Sequence, residues 1–176
     1  IIIIGIYVCI TIVSIKLVFK IDTNSNPFDY FVESYPLSKA TVMVEEKLGG
    51  AMGVEMVFDT NKDEGIKDPE FLYKIEVFQN WVESFAFVSK VNSIVNILKK
   101  LNQTLNQDNP LFYKLANTKE EIAQQLFLYT MSVPQGLDIN DKVSIQNDSL
   151  RMTAMWTLHS SKQSLEMIVA FEEKAK

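Results

Sequence analysis

DPEFLYKIEVFQNWVESF, residues 68–85, is the clearest amphipathic helix in the chain. Asp68 is a typical helix-capping residue, Pro69 suits the first helical position, and Glu70 would lie near the positive end of the helix dipole. The apolar side chains recur at helical spacing: Phe71, Ile75, Phe78, Trp81, Val82 and Phe85. The stretch therefore predicts a helix with one face that must be buried.

A strand is predicted on each side of this helix. Residues 53–58 place Val54, Met56 and Phe58 on one face, and residues 87–95 are the second strand candidate. A strand that returns after a crossover helix runs parallel to the first strand. We therefore expect the two strands to be parallel neighbours in one sheet, with the helix covering one face and Phe78 buried.

The remaining sequence predicts one more strand and three more helices. A helix is expected over residues 36–48, ended by Gly49-Gly50, and another over residues 118–133 behind a capping box. Strict alternation over residues 150–158 predicts a strand with one buried face, and a last helix begins at Ser160. This last strand and helix still need a partner strand, so we expect the chain to be part of a longer protein.

The first 20 residues have the composition of a membrane helix. Residues 1–15 contain no charged side chain, and ten of the fifteen are Ile or Val. At about 1.5 Å of rise per residue, residues 1–19 reach roughly 28 Å, close to the hydrocarbon thickness of a bilayer. We predict a transmembrane helix over residues 1–20. A buried core helix and a signal-like segment are the alternatives.

Charge and residue usage exclude several classes of function. The chain carries 17 Lys and Arg against 22 Asp and Glu, a net charge of −5, which argues against nucleic acid as a partner. Cys9 is the only cysteine and His159 the only histidine, so the sequence offers no disulfide and no zinc site. We therefore predict no catalytic residue, no cofactor and no metal site.

Residues 59–70 are the one stretch with the oxygen spacing of a calcium loop. Asp59, Asn61, Asp63 and Glu70 occupy the first, third, fifth and twelfth positions of such a loop. The sixth position, where the sharp turn requires glycine, is Glu64, and the preceding segment reads as a strand rather than a helix. We favour a solvated loop that leads into a helix cap, and we predict no calcium binding.

The predicted helix over residues 118–133 is apolar on more than one face. Ile122, Leu126 and Tyr129 lie on one side, and Phe127 lies on the next. These four are the candidate contacts for a hydrophobic cargo or for another subdomain. The alternative is that the helix simply packs against the rest of the protein.

Several short segments, taken in chain order, are similar to one transporter family. The more specific ones are PFDYFVESYPL (27–37) and GIKDPEFL (65–72), and the others are IDTN (21–24), LGG (48–50), SVPQGLD (132–138) and SSK (160–162). The chain resembles the start of a repeat in the resistance–nodulation–division (RND) superfamily. Its branch includes the mycobacterial large membrane proteins, the hopanoid transporters and Patched.

This resemblance implies an α+β fold of ferredoxin-like βαβ porter subdomains with a helical insertion, preceded by a transmembrane helix. The implied segments are a transmembrane helix (1–20), a first porter α/β subdomain (21–95), a helical insertion (96–135) and the start of a second βαβ unit (136–176).

The resemblance also implies a proton-driven exporter of hydrophobic or amphiphilic molecules such as lipids or drugs. The chain would lie in the inner membrane, with residues from about 21 onward on the periplasmic side. Its partners would be the lipid bilayer, the cargo and the rest of the transporter chain, and a homo-oligomer remains open. The family's proton-relay acids lie on later membrane helices, so no relay residue is transferred. A membrane-anchored extracytoplasmic sensor is the alternative, and an enzyme comes third.

Overall fold

The computed structural model describes residues 2–18, 30–32, 34–50, 52–134 and 139–176. The predicted segment IDTN (21–24), part of PFDYFVESYPL (27–29 and 33) and part of SVPQGLD (135–138) lie outside them. The described residues form an α+β fold, as expected. Its helices and strands are α1 (Ile2–Val18), α2 (Pro36–Leu48), β1 (Met52–Asp59), α3 (Pro69–Glu83), β2 (Val88–Asn92), α4 (Ile94–Leu105), α5 (Lys119–Ser132), β3 (Ser149–Trp156) and α6 (Ser161–Ala175).

The three strands form one antiparallel sheet in the order β1-β3-β2. Ala154 at the centre of β3 lies opposite Val54 on one side and Val91 on the other. Because β1 and β2 are each antiparallel to β3, they run in the same direction, as predicted. They are not neighbours, however, and that part of the prediction is wrong.

The width of a helix explains why a strand fits between β1 and β2. An α-helix with its side chains is about 10 Å across, whereas paired strands lie about 4.8 Å apart. A helix that crosses from β1 to β2 can therefore cover two strand spacings. The gap beneath α3 is filled by β3, which the chain reaches only after α4 and α5.

One face of the sheet is covered by helices. The inward residues of β3 are all buried, which confirms the predicted alternation: Leu150, Met152, Ala154 and Trp156. On α3, Phe78 is only 7% exposed, so the helix covers this face as expected. The Phe78 ring lies 5.6 Å from that of Trp81, and the Phe171 ring of α6 lies 6.2 Å from that of Trp156.

The helix starts follow the local sequence. The Asp68 side chain accepts a hydrogen bond from the Glu70 N–H at 2.9 Å, and Pro69 is the first residue of α3. Helix α2 ends at Gly49, whose φ of +85° favours glycine. A Cβ at Gly49 would also clash with the Ser89 Cβ, so the close approach of α2 to β2 requires glycine there.

The second strand is shorter than predicted, because a helix cap replaces its end. The strand was expected over residues 87–95 but stops at Asn92. Ser93 Oγ accepts a hydrogen bond from the Val95 N–H at 3.2 Å, and Asn96 Oδ1 accepts one from the Ser93 N–H at 3.0 Å. This capping box starts α4. Val95 is buried as a helical residue, and its apolar character did not distinguish strand from helix.

The helices after β2 join the same core as the sheet. Leu98 of α4 and Ile122 and Leu126 of α5 are buried in one cluster with the strand residues. A half-buried ion pair between Lys99 Nζ and Glu76 Oε1, 2.5 Å apart, also links α4 to α3. The predicted segments 21–95, 96–135 and 136–176 thus contribute to a common core.

Helix α1 lies within the predicted membrane segment. Its described side chains, Tyr7 and residues 10–18, are all exposed. Within the described ranges, the chain contains no helix that combines the length and the hydropathy needed to cross a membrane.

Candidate functional site

An apolar groove of about 740 Å³ runs along β1 between α3 and α6. Consecutive residues 54–59 line it, although successive side chains of a strand point to opposite faces. The groove therefore includes the backbone edge of β1 as well as its helix-facing side chains. The apolar residues around it are Val54, Met56, Val57, Phe58, Phe71, Ile75, Phe78, Ile168 and Phe171.

The periodicities of three elements build this groove. The helix-facing residues of β1 alternate, so that Val54 and Met56 form its floor. Phe71, Ile75 and Phe78 recur at spacings of three and four residues, which places them on one side of α3. On α6, Ile168 and Phe171 are three residues apart, so each of the three elements contributes one apolar row.

Charged side chains surround the apolar lining. Lys74 Nζ lies 2.8 Å from Glu70 Oε1, and this hydrogen bond and the Glu70 charge raise the pKa of Lys74. Lys174 Nζ lies 6.0 Å from the centre of the Trp81 ring. The groove is suited to a polypeptide or amphiphile that buries apolar groups and exposes polar ones.

The four candidate contacts on α5 do not form one surface. Ile122 and Leu126 are buried, at 0% and 6% exposure, and Tyr129 is half-buried. Phe127 is 64% exposed, and with its neighbours Leu128 and Met131 it forms an exposed apolar stripe that we call the α5 stripe. Contact of Phe127 with cargo or with a subdomain stays a prediction, whereas Ile122 and Leu126 are held in the core.

Hydrogen bonds organise the loop with calcium-like spacing. Asp59 Oδ1 accepts a hydrogen bond from the Asn61 N–H at 2.7 Å, and Asp68 caps α3. Glu64 has the left-handed φ of 56° that glycine normally supplies in such loops. The missing glycine is therefore not the obstacle that the sequence suggested.

Glu64 already has a protein partner. Its Oε1 lies 2.5 Å from Lys67 Nζ, and this contact lowers the pKa of Glu64. The carboxylates of the loop are thus used as a turn acceptor, an ion-pair partner and a helix cap. Among the residues that the structure describes, no group of three or more His, Cys, Asp or Glu side chains could hold a metal ion.

Calcium titration of the chain by calorimetry should give no saturating heat at micromolar calcium. The reason is that Asp59 and Glu70, at the first and twelfth positions, would have to give up a hydrogen bond and an ion pair within the protein. Asp63→Asn removes the carboxylate charge at the fifth position of the loop. This variant is the matched control, and we expect the same absence of a saturating heat. A one-to-one heat that Asp63→Asn abolishes would contradict the prediction.

The groove along β1 was not predicted from the sequence. A local signal was present, because Val57 is apolar although it lies on the face of β1 away from the helices, where it is 70% exposed. His159, the only histidine, has its Nε2 3.6 Å from Glu45 Oε1 of α2. No family model matches the chain, and no curated protein is significantly similar to it.

Proposed function

We propose that this chain is the periplasmic porter segment of a proton-driven RND-type exporter of hydrophobic or amphiphilic molecules. The observation that carries the proposal is the order of the sheet. Strands β1 and β2 run parallel on either side of β3, and α3 connects them. This split β-α-β arrangement is the unit from which ferredoxin-like domains are built.

The connection between β2 and β3 supports the finer assignment. In the ferredoxin-like order β-α-β-β-α-β, the two central strands follow one another directly. Here α4 and α5 occupy that connection, and β3 is then followed by α6. A ferredoxin-like subdomain with a helical insertion accounts for this order.

Helix α1 supports attachment to a membrane. Its 17 residues rise about 26 Å, and its described side chains are exposed on all sides. A helix that is apolar all round has no face suited to water, and a bilayer would supply the missing apolar surroundings. We place α1 in the bilayer and the residues from about 21 onward on the periplasmic side.

An aromatic cluster between α1 and α2 fits the same position. Tyr30, Phe31 and Tyr35 are exposed, and the rings of Phe31 and Tyr35 stack at 5.4 Å. Exposed Tyr side chains beside a membrane helix are suited to the headgroup level, where one end of the ring is apolar and the other is wet. This cluster would hold the start of the porter domain against the bilayer surface.

A periplasmic reporter enzyme fused after Lys176 should be active, and the fusion should sediment with membranes. Replacing both Ile10 and Ile12 by Asp should release it, since each acidic side chain at the centre of a membrane helix costs about 2.5–3.5 kcal/mol. Ile145→Asp changes an exposed residue, at 84% exposure, in the folded domain and is the matched control. A fusion that is active only in the cytoplasm would contradict the proposal.

Transport itself needs the full-length protein. Cells that express it should accumulate less of a fluorescent hydrophobic dye than cells that do not, and a protonophore should abolish the difference. A membrane-anchored sensor, the competing function, would leave dye accumulation unchanged. The sequence of the full-length protein separates the two as well, because an exporter needs further membrane spans and a sensor needs a signalling domain.

A further inference from the structure

A polar pocket of about 410 Å³ lies on the face of the sheet opposite the helices. Its lining residues come from β2, from β3 and from the segment before β3, and we call it the outer pocket: Asn92, Asp141, Lys142, Arg151 and Thr153. On β3, Arg151 and Thr153 alternate with the buried residues of the helix-facing side, which places them on the outer face. All five side chains are polar and none belongs to the apolar core, so packing alone does not explain why they meet.

Paired backbone holds these side chains at the point where β2 ends. Asn92, the last residue of β2, lies directly opposite Thr153 on β3. Two residues earlier on β3, the Arg151 N–H donates a hydrogen bond to the Lys142 C=O at 2.7 Å. The segment before β3 thus takes the place of β2 beside β3. The sheet, rather than an independent loop, therefore positions these four side chains.

Two cations and two carboxylates meet at the outer pocket. Lys142 Nζ lies 2.6 Å from Asp141 Oδ2, which is a close ion pair. Arg151 is held less closely, because its Nη1 lies 3.3 Å from Glu55 Oε2 and its Nη2 lies 3.9 Å from Asp141 Oδ2. A hydrogen bond from a guanidinium to a carboxylate is usually about 2.7–2.9 Å long. The planar fork of Arg151 therefore has N–H groups left for another oxyanion.

Two neutral side chains of the outer pocket have no protein partner. Within the described ranges, the Asn92 amide and the Thr153 hydroxyl form no side-chain hydrogen bond, although both residues are half-buried. Their outward positions on paired strands place them side by side. The amide supplies two N–H donors and the hydroxyl supplies one O–H donor. Together with the guanidinium, these groups can bind several oxygens of one ligand.

We propose that the outer pocket binds a compact zwitterion in which a phosphate ester and a primary ammonium group are two carbons apart. The charges of the site select this class, because an anion alone would meet the two carboxylates and a cation alone would meet the lysine and the arginine. The phosphate accepts hydrogen bonds from Arg151, Thr153 and Asn92. The ammonium group donates to Asp141, the carboxylate in the lining of the pocket.

The spread of the donors favours a phosphate over a carboxylate as the anionic group. A planar carboxylate is matched by a single guanidinium fork. A phosphate is tetrahedral, so its oxygens reach donors that come from β2 and from β3 at once. The same zwitterion occurs free in solution and as the headgroup of a phospholipid. The proposal goes beyond the transport function, because the site would serve an exporter and a sensor alike.

Calorimetric titration of the full chain in a nonionic detergent tests the charge pattern. Glycerophosphoethanolamine, the soluble probe, should give a saturating one-to-one heat at millimolar concentration. Glycerophosphocholine carries the same charges, but its quaternary ammonium has no N–H to donate to Asp141, so it should bind at least about tenfold more weakly. Inorganic phosphate and ethanolamine each carry half of the charge pattern and should lose as much. Inorganic phosphate that binds as tightly as the probe would indicate a simple anion site and overturn the proposal.

Arg151→Lys and Lys100→Gln form a matched pair of variants for the same titration. Arg151→Lys keeps the positive charge but removes the planar fork, so it should weaken binding of the probe at least about tenfold. Lys100→Gln removes an exposed charge of α4 that pairs with Asp108, away from the outer pocket, and should bind the probe as the parent chain does. Equal binding by Arg151→Lys and the parent chain would show that the guanidinium does not hold the phosphate, and the proposal would be wrong.

Chemical modification gives a second test that needs no variant. Phenylglyoxal reacts with arginine, and Arg151 is the only arginine in the chain. Its side chain is 39% exposed, so the reagent can reach it. Glycerophosphoethanolamine should slow the modification of Arg151, measured by mass spectrometry of the peptide that contains it, and glycerophosphocholine at the same concentration should slow it less.

Nanodiscs distinguish the two sources of the zwitterion. If nanodiscs with phosphatidylethanolamine protect Arg151 better than nanodiscs of phosphatidylcholine alone, the ligand is a lipid headgroup. Protection by the soluble probe alone indicates a free ligand, and either result supports the proposal. An unchanged rate of modification in every arm would overturn it. Loss of dye export would leave these results unchanged, so the proposed function and this inference fail separately.

Discussion

Phe78→Ala should lower the free energy of unfolding by roughly 3–5 kcal/mol. Phe78 is 7% exposed, and its ring lies 5.3 Å from that of Phe58 on β1 and 6.4 Å from that of Phe171 on α6. It therefore joins two helices and the sheet, and the cavity left by its removal could close only if several elements moved. Denaturant unfolding in detergent, followed by the fluorescence of Trp81 and Trp156, measures the change.

Tyr73→Ala is the matched control for this experiment. Tyr73 is on the same helix but is 63% exposed, so its truncation should change the free energy of unfolding by no more than about 0.5 kcal/mol. A cost below about 1 kcal/mol for Phe78→Ala would show that the helix does not pack on the sheet as described. Such a result would also remove the basis for the groove, because Phe78 lines it.

The first residues of the helices could be predicted from sequence, because the contacts that start a helix are local. A cap needs a side-chain oxygen and an N–H two or three residues later, and Asp68, Thr118 and Ser160 all act in this way. The same rule explains the error at the end of β2. Ser93 and Asn96 form a capping box, but the apolar residues between them match a strand equally well.

The order of the strands could not be predicted because it depends on a distant segment. Nothing within residues 53–95 indicates that β3, which begins at Ser149, will lie between β1 and β2. Sequential strands are neighbours only about two-thirds of the time, and here a helical segment intervenes. The alternation of β3 predicts that one of its faces is buried, but it does not predict which strands pair with β3.

The groove was missed for the same reason. Its residues come from β1, α3 and α6, and no local pattern relates these three segments. Only the strand order makes β1 an edge strand, and only the packing of α6 places Phe171 beside it. Sites of this kind follow from topology rather than from a motif.

The sequence did not indicate which face of α5 is buried, because both faces carry apolar side chains. Burial selects the face of Ile122 and Leu126, and it includes the polar Gln125 at 4% exposure. Gln125 Nε2 donates to Asn102 Oδ1 of α4 at 3.3 Å, whereas the buried Gln125 Oε1 has no hydrogen-bond partner among the described residues. Because a buried glutamine interrupts the apolar row, hydropathy alone did not distinguish the two faces.

Ile122→Ala and Phe127→Ser should differ strongly in their effect on stability, although both remove apolar groups from one helix. Ile122→Ala should cost roughly 2–5 kcal/mol of unfolding free energy, because Ile122 is fully buried between α5 and the core. Phe127→Ser should change it by about 0.5 kcal/mol or less, since Phe127 is 64% exposed. Denaturant unfolding of both variants in detergent measures the difference.

Binding of a fluorescent lipid analogue then shows whether the α5 stripe contacts cargo. Burying a phenylalanine side chain contributes about 1.5–3 kcal/mol, so Phe127→Ser should weaken the binding at least about tenfold if cargo covers the stripe. Tyr73→Ser, which removes an equally exposed aromatic ring on α3, should bind as the parent chain does. Equal binding by the parent chain and Phe127→Ser, or no binding by either, would exclude cargo contact. The exposed Phe127 would then be a packing surface for the rest of the protein.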